Sequence, residues 1–511
     1  MTPPRGQSTA SGVQSSHWMK NLGLLNDYVR VPYANGSSFA SQFLYREFSA
    51  RGHDVTVVGP DDPDATPEDM PERHVCLRAV PLRVHPGVRV PLPSPDGLAR
   101  VAAERFDLVL GQCTSGMLDL GVYLRATQHV PFLAVHTLHL PSAYNVLLPD
   151  AMLQNPVVNG LFTERIVPWA ERQAARIYNQ GDGLIVLSRG LESYWRRRGV
   201  TVPIHVIPRS VDPKIFDRVA GDDPFDARAP RGRRFLTVCR HTREKGLSRL
   251  LRLFAEHVVP QVPDATLTLV GDGPDHDEFK QEAQKLGIAE RTFFPGEFPV
   301  TEIANFYEHA DCFLYPSLSE TYGQVVSEAM WCGLPVVAFE DGMGVSHQID
   351  HGRTGLLVSP GPNQAEADRL FAAHAVRLMR NPSERRALSH QARTDTHLRV
   401  HPERIVDRYY QVFDLAREHC RSTKEARVTR PFAAASALGR WATLQGLVAG
   451  IGYLRTPAVV NRHGRKQPNW SELTAGASPL SQPPLPRDIN AEVERLQRAI
   501  ERGELIPPPA E

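Results

Sequence analysis

The sequence is short of several things that would point to a function at once. Only six of its 511 residues are cysteine (Cys76, Cys113, Cys239, Cys312, Cys332 and Cys420). They are scattered, with no pair at metal-ligand spacing, which leaves no cysteine-held metal site. Three of them lie inside apolar runs, where a thiol behaves as a small hydrophobe. The set reads as reduced, and the expected compartment is the cytoplasm. No uninterrupted apolar run reaches about 18 residues, so a spanning helix is not expected. An excess of one charge is also missing: 58 Lys and Arg stand against 57 Asp and Glu. A net charge of +1 provides no field that would gather nucleic acid, so no nucleic-acid partner is expected. Residues 1–18 are polar, lack the apolar core of an export signal, and read as a flexible lead.

What the chain does have is length and rhythm. A chain of 511 residues exceeds what one hydrophobic core usually organises, which predicts two domains and tails. Short apolar or β-branched runs recur, each followed by a helical pattern: LGLL at 22, DVTVV at 54, FDLVL at 106, PFLAV at 131, GLIVL at 183 and IHVI at 204. The second half repeats this with RFLTV at 234, ATLTLV at 265, CFLY at 312, PVVAF at 335 and GLLV at 355. Buried strands alternating with helices predict parallel sheets covered on both faces, because parallel strands need crossover connections. The fold class is therefore α/β, with two Rossmann-like doubly wound domains facing a cleft. Ser37 and Ser38 are placed to cap the first helix, which carries Ala40, Leu44 and Phe48 on one face and stops at Gly52. Residues 208–233, rich in Pro, Asp, Arg and Gly, suit a linker.

Beyond residue 420 the alternation weakens into an extension, 421–511, partly helical and partly loose. Between Pro431 and Leu454 only Arg440 is charged, and basic residues flank the segment at Arg427, Arg430, Arg455, Arg462, Arg465 and Lys466. Two readings stay open. The segment packs on the second domain, or 431–466 makes a peripheral contact with the inner face of a membrane. Residues 467–489 read as a loose Pro- and Ser-rich tail, and 490–502 as a short charged helix.

The chemistry concentrates in SETYGQVVSEAMWCGLPVVA, residues 319–338. Glu320 falls in a loop at the C-terminal end of a strand, where open parallel sheets bind ligands. Gly323 then opens a helix, and the unpaired amides of Gly323, Gln324 and Val325 form a natural seat for a diphosphate. Glu328 lies roughly 7.5 Å further along the helix axis. That separation lets one carboxylate meet the ribose and the other the sugar beyond the phosphates, although two surface carboxylates would show the same spacing. Arg240 and Lys245 follow the strand at 234 and straddle a helix start, as fixed cations facing a diphosphate would. Asp62-Pro63-Asp64 sits in an Asp- and Pro-rich loop and reads as a solvated connection, not a metal site. His136-x-x-His139 lacks the third ligand a zinc ion needs. No metal ligand is assigned.

These motifs resemble the family 4 retaining glycosyltransferases. Glu320 and Glu328, separated by seven residues and followed by AMWCGLPVVA, are similar to that family's paired-glutamate motif. VCRHTREKG at 238–246 is similar to its Val-Gly-Arg…Glu-Lys-Gly element, with Cys239 in place of the usual Gly. LVGDGP at 269–274, FFPGEF at 293–298 and DHGRTGLLVSPG at 350–361 extend the likeness over roughly 19–418. The resemblance implies an acceptor domain at 19–207, a nucleotide-sugar domain at 234–400, and a helix at 402–418 crossing back to the first domain. It also implies a metal-independent hexosyltransferase with a UDP- or GDP-linked donor as substrate and no cofactor, whose partners are that donor and an acceptor, a lipid or a glycan. On this likeness the catalytic set is Glu320, His136, Arg240 and Lys245. Donor binding falls to Arg240, Lys245, Glu320, Gly323, Gln324, Val325 and Glu328. Asn35-Gly36-Ser37-Ser38 occupies the place of the family's Gly-rich loop, so Gly36 is expected beside a phosphate or the acceptor. VIPRSVDP at 206–213 departs from the family's Pro-Asn-Gly-Val-Asp: Arg209 adds a cation near the cleft, pointing to an altered acceptor or phosphate contact. A nucleotide-sugar epimerase of the same fold and a non-catalytic nucleotide-sugar-binding protein would use the same residues.

Overall fold

A computed structural model describes residues 18–29, 36–63, 65–67, 70–81, 89–113, 115–137, 155–217, 221–318, 320–423 and 430–454. The expectations for the N-terminal lead, Asn35, Asp64, His139, Arg427 and everything beyond 454 lie outside these residues. The first half supplies β1 (Asn21–Asn26), β2 (Asp54–Pro60), β3 (His74–Leu77), a short antiparallel ribbon of β4 (Ala79–Pro81) and β5 (Arg89–Pro91), then β6 (Leu108–Gln112), β7 (Phe132–Val135), β8 (Gly183–Val186) and β9 (Ile204–Val206). Its main sheet is parallel throughout, in the order β3-β2-β1-β6-β7-β8-β9. The second half supplies β10 (Arg234–Val238), β11 (Thr266–Val270), β12 (Thr292–Gly296), β13 (Cys312–Tyr315), β14 (Val336–Phe339) and β15 (Leu356–Val358), again all parallel, in the order β12-β11-β10-β13-β14-β15.

The central strands are buried on both faces, which is why they read as continuous apolar runs without alternation. In each sheet the strand order reverses beside the first strand of that half: β1 lies between β2 and β6, and β10 between β11 and β13. Crossovers leave a switch point on opposite faces, so a crevice opens at the strands' C-terminal ends. Helix Pro402–Ser422 sends Ile405, Val406, Tyr409, Tyr410 and Phe413 into the first domain's core, against Leu22, Leu44 and Phe48.

Three local readings differ from what the residues suggested. The first helix begins at Gly36, so Ser37 and Ser38 lie within its first turn instead of preceding it. Residues 208–233 are more than a linker: Val211, Phe216, Phe225 and Ala229 are buried in the second domain's core, and Arg234 bonds Asp223 at 2.8 Å. Their burial is irregular in sequence, so periodicity could not reveal it. Helix Arg430–Leu454 packs on helix Ser115–Gln128, and so on the first domain instead of the second. Trp441 is fully buried there and its Nε1 donates to the Pro91 carbonyl at 2.9 Å. A Cβ on Gly116 would come within 2.5 Å of Trp441 and of Gln445, so the glycine is what permits the close approach. Arg440 reaches the buried Asp119 at 2.7 Å. The opposite face of this helix leaves Phe432 and Leu447 exposed. No helix among the described residues is long and apolar enough to cross a membrane.

Candidate donor site

The site grows from two neighbouring strands. After β13 the chain turns out through Pro316 and Ser317 to Glu320, and Gly323 caps helix Gln324–Trp331 in the left-handed region, with φ 78°. A side chain at 323 would be strained there, and its Cβ would sit 3.0 Å from Val345. After β10 the chain forms a single turn at Arg243–Lys245, ended by Gly246 at φ 74°. A Cβ on Gly246 would lie 3.1 Å from the Pro316 carbonyl. That close approach is what brings Lys245 beside the Glu320 loop.

Glu320 receives three hydrogen bonds on one oxygen. Its Oε1 accepts from Lys245 Nζ at 2.5 Å, from Ser317 Oγ at 2.7 Å and from Tyr315 Oη at 2.8 Å. Its Oε2 has no hydrogen-bond partner among the described residues. Burial works to raise the Glu320 pKa, but Lys245 and the two hydroxyls outweigh it and hold the carboxyl below its ordinary range. Burial likewise opposes the charge on Lys245, and Glu320 restores it, raising that pKa. The two form an ionised pair. Glu328, buried within the helix, meets a different balance. Its Oε2 accepts from Tyr307 Oη at 3.0 Å, but burial dominates and the pKa rises to about 7.

Second-domain loops hold this geometry. Gly344 N donates to the Glu320 carbonyl at 3.0 Å, and a Cβ on Gly344 would collide with the Tyr322 backbone at 2.5 Å. Asp341 fixes that loop by accepting from the amides of Met343, Val345 and Ser346. Gln348 Nε2 donates to the carbonyls of Tyr322 and Gly323, and its Oε1 accepts from Ser327 at 2.5 Å. Beyond β10, His241 is fully buried, with Nδ1 2.7 Å from Nδ1 of His276. Burial first, and then His276, lowers its pKa to about 3, so it is neutral. Cys239 is not at positive φ and needs no glycine there. Its thiol is pushed up to about 12 by burial and is inert as a nucleophile.

The other expected residues are placed as follows. Arg240 is exposed and takes no part in the hydrogen bonds to Glu320. His136, just past β7, is buried, with its Nδ1 3.1 Å from Tyr178 Oη and its ring edge-on to Trp195 at 4.9 Å. The next residue, Thr137, offers its carbonyl to Thr321 Oγ1 at 3.3 Å, which brings this strand end across the cleft to the Glu320 loop. Gly36 is the first residue of helix Gly36–Ala50. The linker touches the mouth of helix Gln324–Trp331: Gln324 Nε2 donates to the Ser210 carbonyl at 3.0 Å, and Tyr322 Oη to the Arg209 carbonyl at 3.3 Å. Ser317, Tyr315, Tyr307, His241 and the Asp341 loop escaped the motif reading. Only Tyr315 and Ser317 carried a signal, as hydroxyls within five residues of Glu320. Among the described residues no group of three or more His, Cys, Asp or Glu could hold a metal ion.

Comparison with known proteins gives the family and the fold. Residues 223–395 match the family described as glycosyl transferases group 1, and residues 35–215 match glycosyltransferase family 4. Between them the two matches take in more than half of the chain. The chain belongs to the family 4 glycosyltransferases. Sulfoquinovosyl transferase of Arabidopsis thaliana is 26% identical over 343 residues, which are 65% of this chain and 62% of that protein. GDP-mannose-dependent alpha-(1-6)-phosphatidylinositol monomannoside mannosyltransferase of Mycolicibacterium smegmatis is 32% identical over 209 residues, 38% of this chain and 53% of that one. The family 4 chain therefore spans between half and two thirds of the length of these two relatives. In structure it is similar to HepE of Anabaena in complex with UDP, with TM-score 0.59 at 19% identity, covering 78% of this chain and 100% of that one. The fold is thus that of the two-domain GT-B glycosyltransferases.

Proposed function

We propose that this chain transfers a hexose from a UDP- or GDP-linked donor to an acceptor hydroxyl, retaining the anomeric configuration and using no metal ion. The observation that carries the reading is the Glu320 carboxylate. Three donors occupy Oε1, while Oε2 is left to accept from sugar hydroxyls at the mouth of a helix. A carboxylate neutralised by an ammonium and two hydroxyls is a poor nucleophile, so Glu320 positions the sugar and does not attack its anomeric carbon. The departing phosphate oxygen then takes the acceptor's proton on the face from which it leaves. Lys245 and the first-turn amides stabilise the charge that gathers on the diphosphate. Arg240, being exposed, joins them when the donor is bound. Glu328 meets the ribose, and His136 and Gly36 serve the acceptor side.

Six free thiols suit a reducing cytoplasm. A lipid acceptor, met by peripheral contact with the membrane's inner face, is favoured by two things: the name of the Mycolicibacterium relative, which concerns a phosphatidylinositol mannoside, and exposed Phe432 and Leu447 on the extension helix. The test uses UDP-glucose and GDP-mannose with short-chain lipid acceptors. Glu320→Gln keeps the shape and removes the charge. Transfer is expected to fall by about 100-fold or more, with an unchanged circular dichroism spectrum. A near-wild-type rate, or an altered sugar formed from donor alone, refutes the assignment.

A further inference from the structure

Arg209 comes from the linker, yet it borders the donor site. Its own carbonyl accepts from Tyr322 Oη, and the next carbonyl accepts from Gln324 Nε2, so the two residues flanking Gly323 are both tied to this segment. The segment is tied in turn to the end of the second domain: Val211 N and Ser210 Oγ both donate to the Val400 carbonyl, at 3.4 and 3.1 Å. The guanidinium has no hydrogen bond and no ion pair among the described residues, and its Nε is completely enclosed. Tyr409, Tyr322 and Glu320 lie near enough to act on its charge. Burial lowers its pKa to about 10, which still leaves it protonated at neutral pH.

An enclosed Nε without an acceptor is costly, and because Arg209 as a whole is only half-buried its two Nη groups stay accessible to a ligand that supplies one. Among the described residues the carboxylate whose charge acts on it is Glu320, which Lys245 already neutralises. Lys245, Arg209 and the partial positive charge of the helix mouth therefore face a single carboxylate. The imbalance calls for an anion carrying more than one charge, beside Gly323. We infer that Arg209 is a donor-binding residue that clamps the diphosphate of the nucleotide sugar from the linker side, opposite Lys245. This inference rests on the proposed transferase reading. It also implies that a cation held jointly by the linker and Val400 makes donor binding sensitive to the interdomain arrangement.

The experiment is calorimetric titration of wild type, Arg209→Met and Arg209→Lys with UDP, UMP and uridine, and with the guanine series if GDP is preferred. In wild type the diphosphate binds more tightly than the monophosphate. Arg209→Met is expected to shrink that preference by about 10- to 100-fold while uridine affinity stays the same, and Arg209→Lys to fall between. The free Arg209→Met protein is expected to melt no lower than wild type, since its Nε has no partner to lose. An unchanged diphosphate preference in Arg209→Met overturns the inference and leaves the transferase reading standing. A Met variant that melts well below wild type assigns Arg209 to the fold instead. A wild-type protein that binds neither UDP nor GDP overturns both.

Discussion

Glu328→Gln should stabilise this protein while disabling it, and the stabilisation should depend on pH in a defined direction. Burial raises the Glu328 pKa from its ordinary value near 4.5 to about 7. For an acid whose folded pKa is raised, the native state holds its proton over a range where the unfolded chain has lost it. Stability therefore falls as pH climbs from about 4.5 to about 7, and the full penalty is present above that range. The interval corresponds to about 3 kcal/mol of destabilisation at alkaline pH. At pH 5.5 the penalty amounts to only about 1.4 kcal/mol by the same linkage. Glutamine keeps an oxygen for Tyr307 Oη and cannot ionise, so it removes the penalty at every pH. Urea unfolding of wild type and variant at pH 5.5 and 8.5 should show the variant's advantage growing by about 2 kcal/mol. Nucleotide titration should show it binding donor poorly. A stability difference that does not change with pH would mean that Glu328 ionises freely and that its burial has been misjudged.

Gly323→Ala places a side chain at φ 78° and a Cβ against Val345. It should cost about 1–2 kcal/mol by urea unfolding and weaken nucleoside diphosphate binding, because the first-turn amides must move. Trp441→Ala should destabilise the first domain by about 3–5 kcal/mol. It empties a fully buried indole site and strands the Pro91 carbonyl. A wild-type unfolding midpoint in that variant would show that the extension helix is not docked in solution.

Much of this arrangement is written locally. The strands are legible because a parallel strand buried on both faces keeps an unbroken apolar run, as in CFLY at 312 and VVAF at 336. The pairing of Lys245 with Glu320 follows from topology, since each sits just past one of two adjacent strands, β10 and β13. What stayed hidden depends on partners far apart in sequence. Tyr307, 21 residues before Glu328, looks like any aromatic in an amphipathic helix. His241 and His276 show no relation until β10 and β11 are side by side. The docking of the extension helix turns on Arg440 meeting Asp119 across 321 residues. An apolar helix with basic flanks looks the same in sequence whether it meets protein or lipid.

The two glutamates show why motif spacing alone could not assign roles. Glu320 and Glu328 stand at opposite ends of one short segment, and burial pushes both toward the neutral form. Their neighbours decide the outcome. Glu320 has an ammonium and two hydroxyls on a single oxygen, enough to reverse the effect of burial and fix a permanent negative charge. Glu328 has a phenol and the Gln324 amide, which do not offset it. A fixed charge balanced by Lys245 can accept from sugar hydroxyls without drawing a proton from them, which suits a positioning group beside a reacting carbon. A carboxyl close to its own titration point can accept from or donate to a ribose hydroxyl, which suits recognition. On the proposed reading, the division of labour between sugar and nucleoside ends of the donor is therefore set by Lys245, Ser317 and Tyr315 and not by the glutamates themselves.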